Sequence, residues 1–213
     1  MFPWADANLM DFWTKEYPHI ENPVRDTSLA QWVSKVILGL AEGLQMIHGP
    51  EDSKSTEPVF GRHGDLKPEN ILWFKGPGCD DLGFPTGVLQ ICDFGSADFH
   101  HKGTVELPAK DILSYTQTYS APECYTLKLN ERISPSFDIW SLGCVLLQFV
   151  TWYMLGSKGL LEFEDKRIEE CPKGMSWNKG YDIFFKVEND SVWSGWLGPR
   201  VAKSETVTEV SPL

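Results

Sequence analysis

Seventeen consecutive residues without a charge, Ile139 to Leu155, constrain this chain more than any other feature. A run of that kind leaves water, either into a bilayer or into the interior of a folded domain. Its length sits at the short limit of the roughly 17–25 residues that a span needs. It also carries Ser141, Gln148 and Thr151. The expected form is a core helix from about Phe137 to Tyr153, buried all round, with no membrane span. A chain of 213 residues is long enough to enclose such a helix in one domain, or in one domain with a trailing segment.

The rest of the composition agrees with a globular interior, being 42% hydrophobic and 23% charged. The formal net charge of −11, with no basic stripe, argues against a nucleic-acid partner or an anionic membrane surface. Cys79, Cys92, Cys124, Cys144 and Cys171 are scattered, with no CxxC pair. That pattern fits reduced thiols in an intracellular protein, cytoplasmic or nuclear, rather than a disulfide framework or zinc site. The opening Met1-Phe2-Pro3-Trp4-Ala5-Asp6 lacks the basic and apolar regions of a signal peptide.

Residues 27–48 read as an amphipathic helix, because Leu29, Trp32, Val33, Val36, Ile37, Leu40, Leu44 and Ile47 follow a helical stripe. Thr27 or Ser28 can cap its start, and His48-Gly49-Pro50 ends it. Glu51 to Glu57 reads as an exposed loop. Ile71-Leu72-Trp73-Phe74 and Val88-Leu89-Gln90-Ile91-Cys92 read as two strands joined by a Gly- and Pro-rich turn. From Phe99 to Thr118 no period is sustained, which predicts an irregular loop. A second helix is expected over Leu160–Glu170, and the last 40 or so residues are ambiguous.

Three motifs stand in fixed order. His63-Gly64-Asp65-Leu66-Lys67-Pro68-Glu69-Asn70 precedes the first strand, Asp93-Phe94-Gly95 follows the second, and Ala121-Pro122-Glu123 closes the irregular loop. In this order and spacing they are similar to the signature of eukaryotic-type Ser/Thr protein kinases. The chain resembles the C-terminal lobe of that family, most of all kinase-like proteins of filamentous fungi. The fold this implies is mainly α with a few short β-strands, the protein-kinase-like large lobe, with the small β lobe absent.

The resemblance implies roles residue by residue. Asp65 matches the aspartate that accepts the substrate hydroxyl proton, and Lys67 the lysine that meets the γ-phosphate. Asn70 and Asp93 match the side chains that hold Mg²⁺, a hard cation that demands oxygen ligands. Thr116 matches the threonine that contacts the catalytic aspartate and lysine. Phe94 and His63 resemble members of the stack between metal loop and catalytic loop. Asp138 matches the aspartate that anchors the catalytic-loop backbone. Phe2, Trp4, Asp6 and Asn8 resemble a hinge for ATP, in which Asp6 or Asn8 could reach the ribose and Leu72 would pack under adenine. Ordinary core packing is the competing reading for Trp4 and Leu72.

The sequence departs from the family in three places. No GxGxxG, strand lysine or helix glutamate precedes the hinge-like segment, so the parts that cover the phosphates are expected to be missing. Gly64 stands where many kinases place a phosphate-binding arginine, which puts control through Thr104 or Ser114 in question. Glu123 has no assigned basic partner, with Arg167 and Arg200 as the candidates. The resemblance therefore divides the chain into residues 1–156, hinge to central helix, and 157–213, a remainder or divergent tail.

Two functions follow. One is an ATP- and Mg²⁺-dependent protein serine/threonine kinase, truncated and weak or inactive as this chain alone. The other is a non-catalytic kinase-like binding module. Protein substrates or partners are implied, including one that covers the exposed cleft. His100-His101 reads as exposed loop and not a metal site. Cys92 is either a reactive thiol or a small buried hydrophobe. Trp177, Trp193 and Trp196 form a partner surface, pack on the lobe, or reflect a missing partner segment.

Overall fold

A computed structural model describes residues 3–19, 27–49, 59–77, 85–101, 107–108, 116–122, 124, 132–133, 135–170, 182–188 and 192–196. Phe2, the expected loop Glu51–Glu57, Thr104, Ser114, Glu123, Cys79, Cys171, Trp177 and Arg200 lie outside the described residues. The chain opens with strand β1 (Ala7–Asn8), helix α1 (Leu9–Asp11) and a π-helical turn, Phe12–Glu16. Helix α2 (Thr27–His48) follows over the expected span. Its stripe is buried at Leu29, Trp32, Val33, Val36, Leu40 and Leu44, while Ile37 and Ile47 pack at its margin.

Strands β2 (Val59–Arg62), β3 (Ile71–Lys75), β4 (Gly87–Ile91) and β5 (Asp98–His101) come next. β1, β3 and β4 form one antiparallel sheet, with Asn8 opposite Leu72 and Ile71 opposite Ile91. β2 pairs with β5, and this corrects the expectation of an irregular loop from Phe99 onward. His100 and His101 are strand residues, opposite Phe60 and Val59. The pairing is between segments far apart in sequence, which local periodicity does not reveal. Short pairs β6 (Leu107–Pro108) with β7 (Arg132–Ile133), and β8 (Phe185–Glu188) with β9 (Val192–Trp196), complete the strands of the described residues. Trp193 and Trp196 lie on β9, opposite Val187 and Phe185.

Helix α3 (Ser136–Glu170) contains the uncharged run and joins the two expected helices into one element with a kink. At Gly156 the backbone takes φ 69° and ψ −169°, outside the helical region. A Cβ there would sit 2.9 Å from the Pro18 carbonyl oxygen, which accepts the Ser157 N–H at 2.8 Å. Glycine is the residue that tolerates both the left-handed φ and that approach.

Aromatic rings fill the core. Phe12 lies 5.2 Å from Tyr17, 5.8 Å from Trp32, 5.0 Å from Trp73 and 5.2 Å from Trp152, centroid to centroid. The π-helical turn, α2, β3 and α3 therefore meet at one side chain. Tilted and edge-on pairs of this kind contribute about 0.5–1.5 kcal/mol each beyond area burial. Trp152 also donates its indole N–H to the Tyr17 carbonyl at 2.7 Å. Among the described residues α3 alone is long and apolar enough to cross a membrane by length and composition. Its Val145, Phe149 and Trp152 are fully buried inside the protein.

Trp152→Ala should lower unfolding free energy in urea by about 3–5 kcal/mol, because it removes a buried ring together with its indole hydrogen bond to Tyr17. Trp152→Phe should cost less. A loss below about 1 kcal/mol for the alanine variant would remove Trp152 from the core that holds α3 in place.

Candidate functional site

The segment between β2 and β3 is placed by a buried carboxylate on α3. Asp138 Oδ1 accepts the Gly64 N–H at 2.9 Å, and its Oδ2 accepts the His63 N–H at 2.8 Å. Asp138 is fully buried, so these donors replace the water it gave up. His48, the last residue of α2, adds a third contact, its Nε2 lying 2.9 Å from Oδ2. His48 was legible in the sequence only as the end of a helix, since its partner lies 90 residues away.

Gly64 takes φ +84°, and a Cβ there would meet the Ser96 carbonyl oxygen at 2.6 Å. No side chain fits without moving that backbone, so the glycine in the family's arginine position has a local structural cause. His63 projects its ring onto Phe94, 5.3 Å between centroids and tilted 57°. Its Nδ1 accepts the Asp65 N–H at 3.3 Å. The other nitrogen therefore carries the proton and donates to the Cys92 carbonyl at 2.9 Å. One imidazole thus links the loop bearing Asp65 to the strand end bearing Asp93.

Asp65, Lys67, Asn70 and Thr116 come together as one hydrogen-bonded group. Asp65 Oδ1 accepts from the Thr116 N–H at 3.1 Å and the Thr116 hydroxyl at 3.0 Å. Its Oδ2 accepts from Lys67 Nζ at 2.8 Å and Asn70 Nδ2 at 3.2 Å. The Thr116 hydroxyl in turn accepts from Lys67 at 2.9 Å. Burial pushes the Asp65 carboxyl up. The Lys67 hydrogen bond, both Thr116 donors and the Lys67 charge together outweigh it and hold the group below the usual aspartate value.

Thr116 is positioned from behind. The 3₁₀ turn Gln117–Tyr119 is pinned to α3, where Ser141 Oγ donates to the Tyr119 carbonyl at 2.8 Å. The Tyr119 hydroxyl donates to Gln148 Oε1 at 2.9 Å. These anchors were missed in the sequence, because Ser141 and Gln148 looked only like polar interruptions of an apolar run.

Asn70 and Asp93 sit at adjacent strand ends, where the Asn70 carbonyl accepts the Cys92 N–H at 2.9 Å. Asp93 is the only non-glycine residue with positive φ among the described residues, at φ 61° and ψ 76°. Such a conformation costs about 1–3 kcal/mol and clusters at functional sites. Its Oδ1 accepts the Gly95 N–H at 3.2 Å. The Asn70 amide nitrogen is engaged by Asp65, at its carbonyl and its carboxylate, which turns the amide oxygen away as a free acceptor. Oxygens of this kind suit Mg²⁺, which keeps waters and substrate phosphates as its other ligands. Among the described residues no three His, Cys, Asp or Glu side chains gather into a complete metal cage.

The hinge-like residues lie at the sheet edge. Trp4 is 95% exposed, which corrects the core-packing reading for it. The Asp6 carboxylate accepts the Lys75 N–H at 2.8 Å, and Asn8 Oδ1 caps α1 through the Asp11 N–H at 2.8 Å. Leu72 is half-buried on β3. Cys92 is half-buried too, and burial, then the Asp93 charge, pushes its thiol up, so it is a poor nucleophile at neutral pH. Arg167 is engaged by Asp182, with Nε at 2.5 Å and Nη2 at 2.8 Å from its two oxygens, and is stacked between Phe163 and Phe184. Asp182 lay in the stretch where the sequence showed no pattern.

The family model "Protein kinase domain" matches residues 15–187. The sporulation-specific mitogen-activated protein kinase of Saccharomyces cerevisiae is 39% identical over 92 residues, 41% of this chain and 21% of that protein. Human cyclin-dependent kinase-like 4 is 35% identical over 91 residues, 42% of this chain and 19% of that protein. A chain from the crystal structure of the yeast RNA Pol II CTD kinase CTDK-1 complex superposes with a TM-score of 0.47 at 22% identity. That match covers 70% of this chain and 38% of the other. The chain spans about a fifth of the length of the two curated relatives.

A depressed folded value at Asp65 contributes stability at pH above the unfolded aspartate value of about 4, lost as pH falls through the lower folded value. Urea unfolding of the wild type should therefore weaken across that acid window. Asp65→Asn should show a shallower slope there. Identical slopes in the two proteins would contradict the depressed carboxyl.

Proposed function

Because the chain belongs to the protein kinase domain family, we propose that it is the catalytic-loop lobe of a protein serine/threonine kinase. What supports this reading most is one arrangement. The Asp65 carboxylate is bonded by Lys67, Asn70 and Thr116, and His63 ties it to the Asp93 strand end.

In this reading a substrate Ser or Thr hydroxyl attacks the terminal phosphorus of ATP, the bond to the bridging oxygen breaks so that ADP leaves, and the hydroxyl proton passes to Asp65. The resting carboxylate is saturated by four donors, so one must yield before a hydroxyl can bond to it. Lys67 is the candidate, since its ammonium leaves Asp65 when a phosphate oxygen offers a stronger partner. Thr116 keeps two bonds to the other carboxylate oxygen and preserves its aim. Asn70 Oδ1 and the Asp93 carboxylate would hold Mg²⁺, which supplies charge neutralisation on the phosphates. Trp4, Asp6, Asn8 and Leu72 would border the nucleotide, with Phe2 outside the described residues.

No GxGxxG run occurs in the 213 residues, so an element beyond them would cover the phosphates. Residues 1–156 would carry the site and 157–213 the remainder of the lobe. Cys92 and Cys144, free thiols among the described residues, favour an intracellular setting. Helix α3 is read as a core helix because its Asp138 and Phe149 are fully buried. Detergent phase partition should leave the protein in the aqueous phase; recovery wholly in the detergent phase would sink the core-helix reading.

Calorimetric titration with MgATP and phosphate transfer to a protein substrate test the proposal. The 213 residues alone should bind weakly and transfer negligibly. A longer chain that adds a glycine-rich loop should be active and lose about 10²–10⁴-fold in Asp65→Asn. No transfer even by the longer chain would favour a binding module, and activity indifferent to Asp65 would remove Asp65 from its role as proton acceptor. Submicromolar MgATP binding with Asp65-dependent transfer by the 213 residues would make the covering element unnecessary.

A further inference from the structure

We draw no further inference here: the strongest candidate, the apolar groove of about 410 Å³ along the first turns of α3, lined by Ile139, Trp140, Gly143, Cys144, Leu147 and Phe184, carries nothing, because nothing in the structure shows what covers it.

Discussion

The carboxylate of Asp138 is the interaction on which the rest of the site depends. A buried charge is tolerated when donors replace its water, and here two backbone N–H groups and His48 do so. Those N–H groups belong to His63 and Gly64, so satisfying the carboxylate also sets the path of the loop. The loop then directs His63 toward Phe94 and Cys92, and Asp65 toward Thr116. Core burial and site geometry are one arrangement, because the carboxylate sits at the start of the helix that the aromatic cluster buries.

Helix α3 holds both sides of Asp65. Asp138 fixes the loop before it, while Ser141 and Gln148 fix the turn that carries Thr116. At 100° per residue these three positions fall within about 80° of one helix face. A single rigid surface therefore sets two segments that are 51 residues apart in the Thr116–Asp65 contact. Further along the same face, Phe149 and Trp152 meet Trp32 and Phe12. Polar residues inside the apolar run are thus attachment points and not defects of a hydrophobic helix.

Much of this was legible in the residues themselves. The stripe from Leu29 to Leu44 marked α2 to its ends, and Ile71–Phe74 with Val88–Cys92 marked the central strands to within a residue or two. Asp65, Lys67, Asn70 and Thr116 could be named together because a motif records which side chains share a site. The β2–β5 ribbon, the Gly156 kink and the Arg167–Asp182 pair were not legible. Each depends on a partner distant in sequence, and periodicity carries no information about partners.

By itself, the sequence determined the core helix, the order of the motifs and the kinds of side chain available for phosphate and metal chemistry. Those follow from local period and from residue chemistry, which travel with the chain. Only the tertiary structure decided that His48 completes the Asp138 cage, that Gly64 is required by Ser96, and that Arg167 is held by Asp182. Burial and pairing are properties of two or more segments packed together, and a charge becomes satisfied or orphaned only when that packing removes its water.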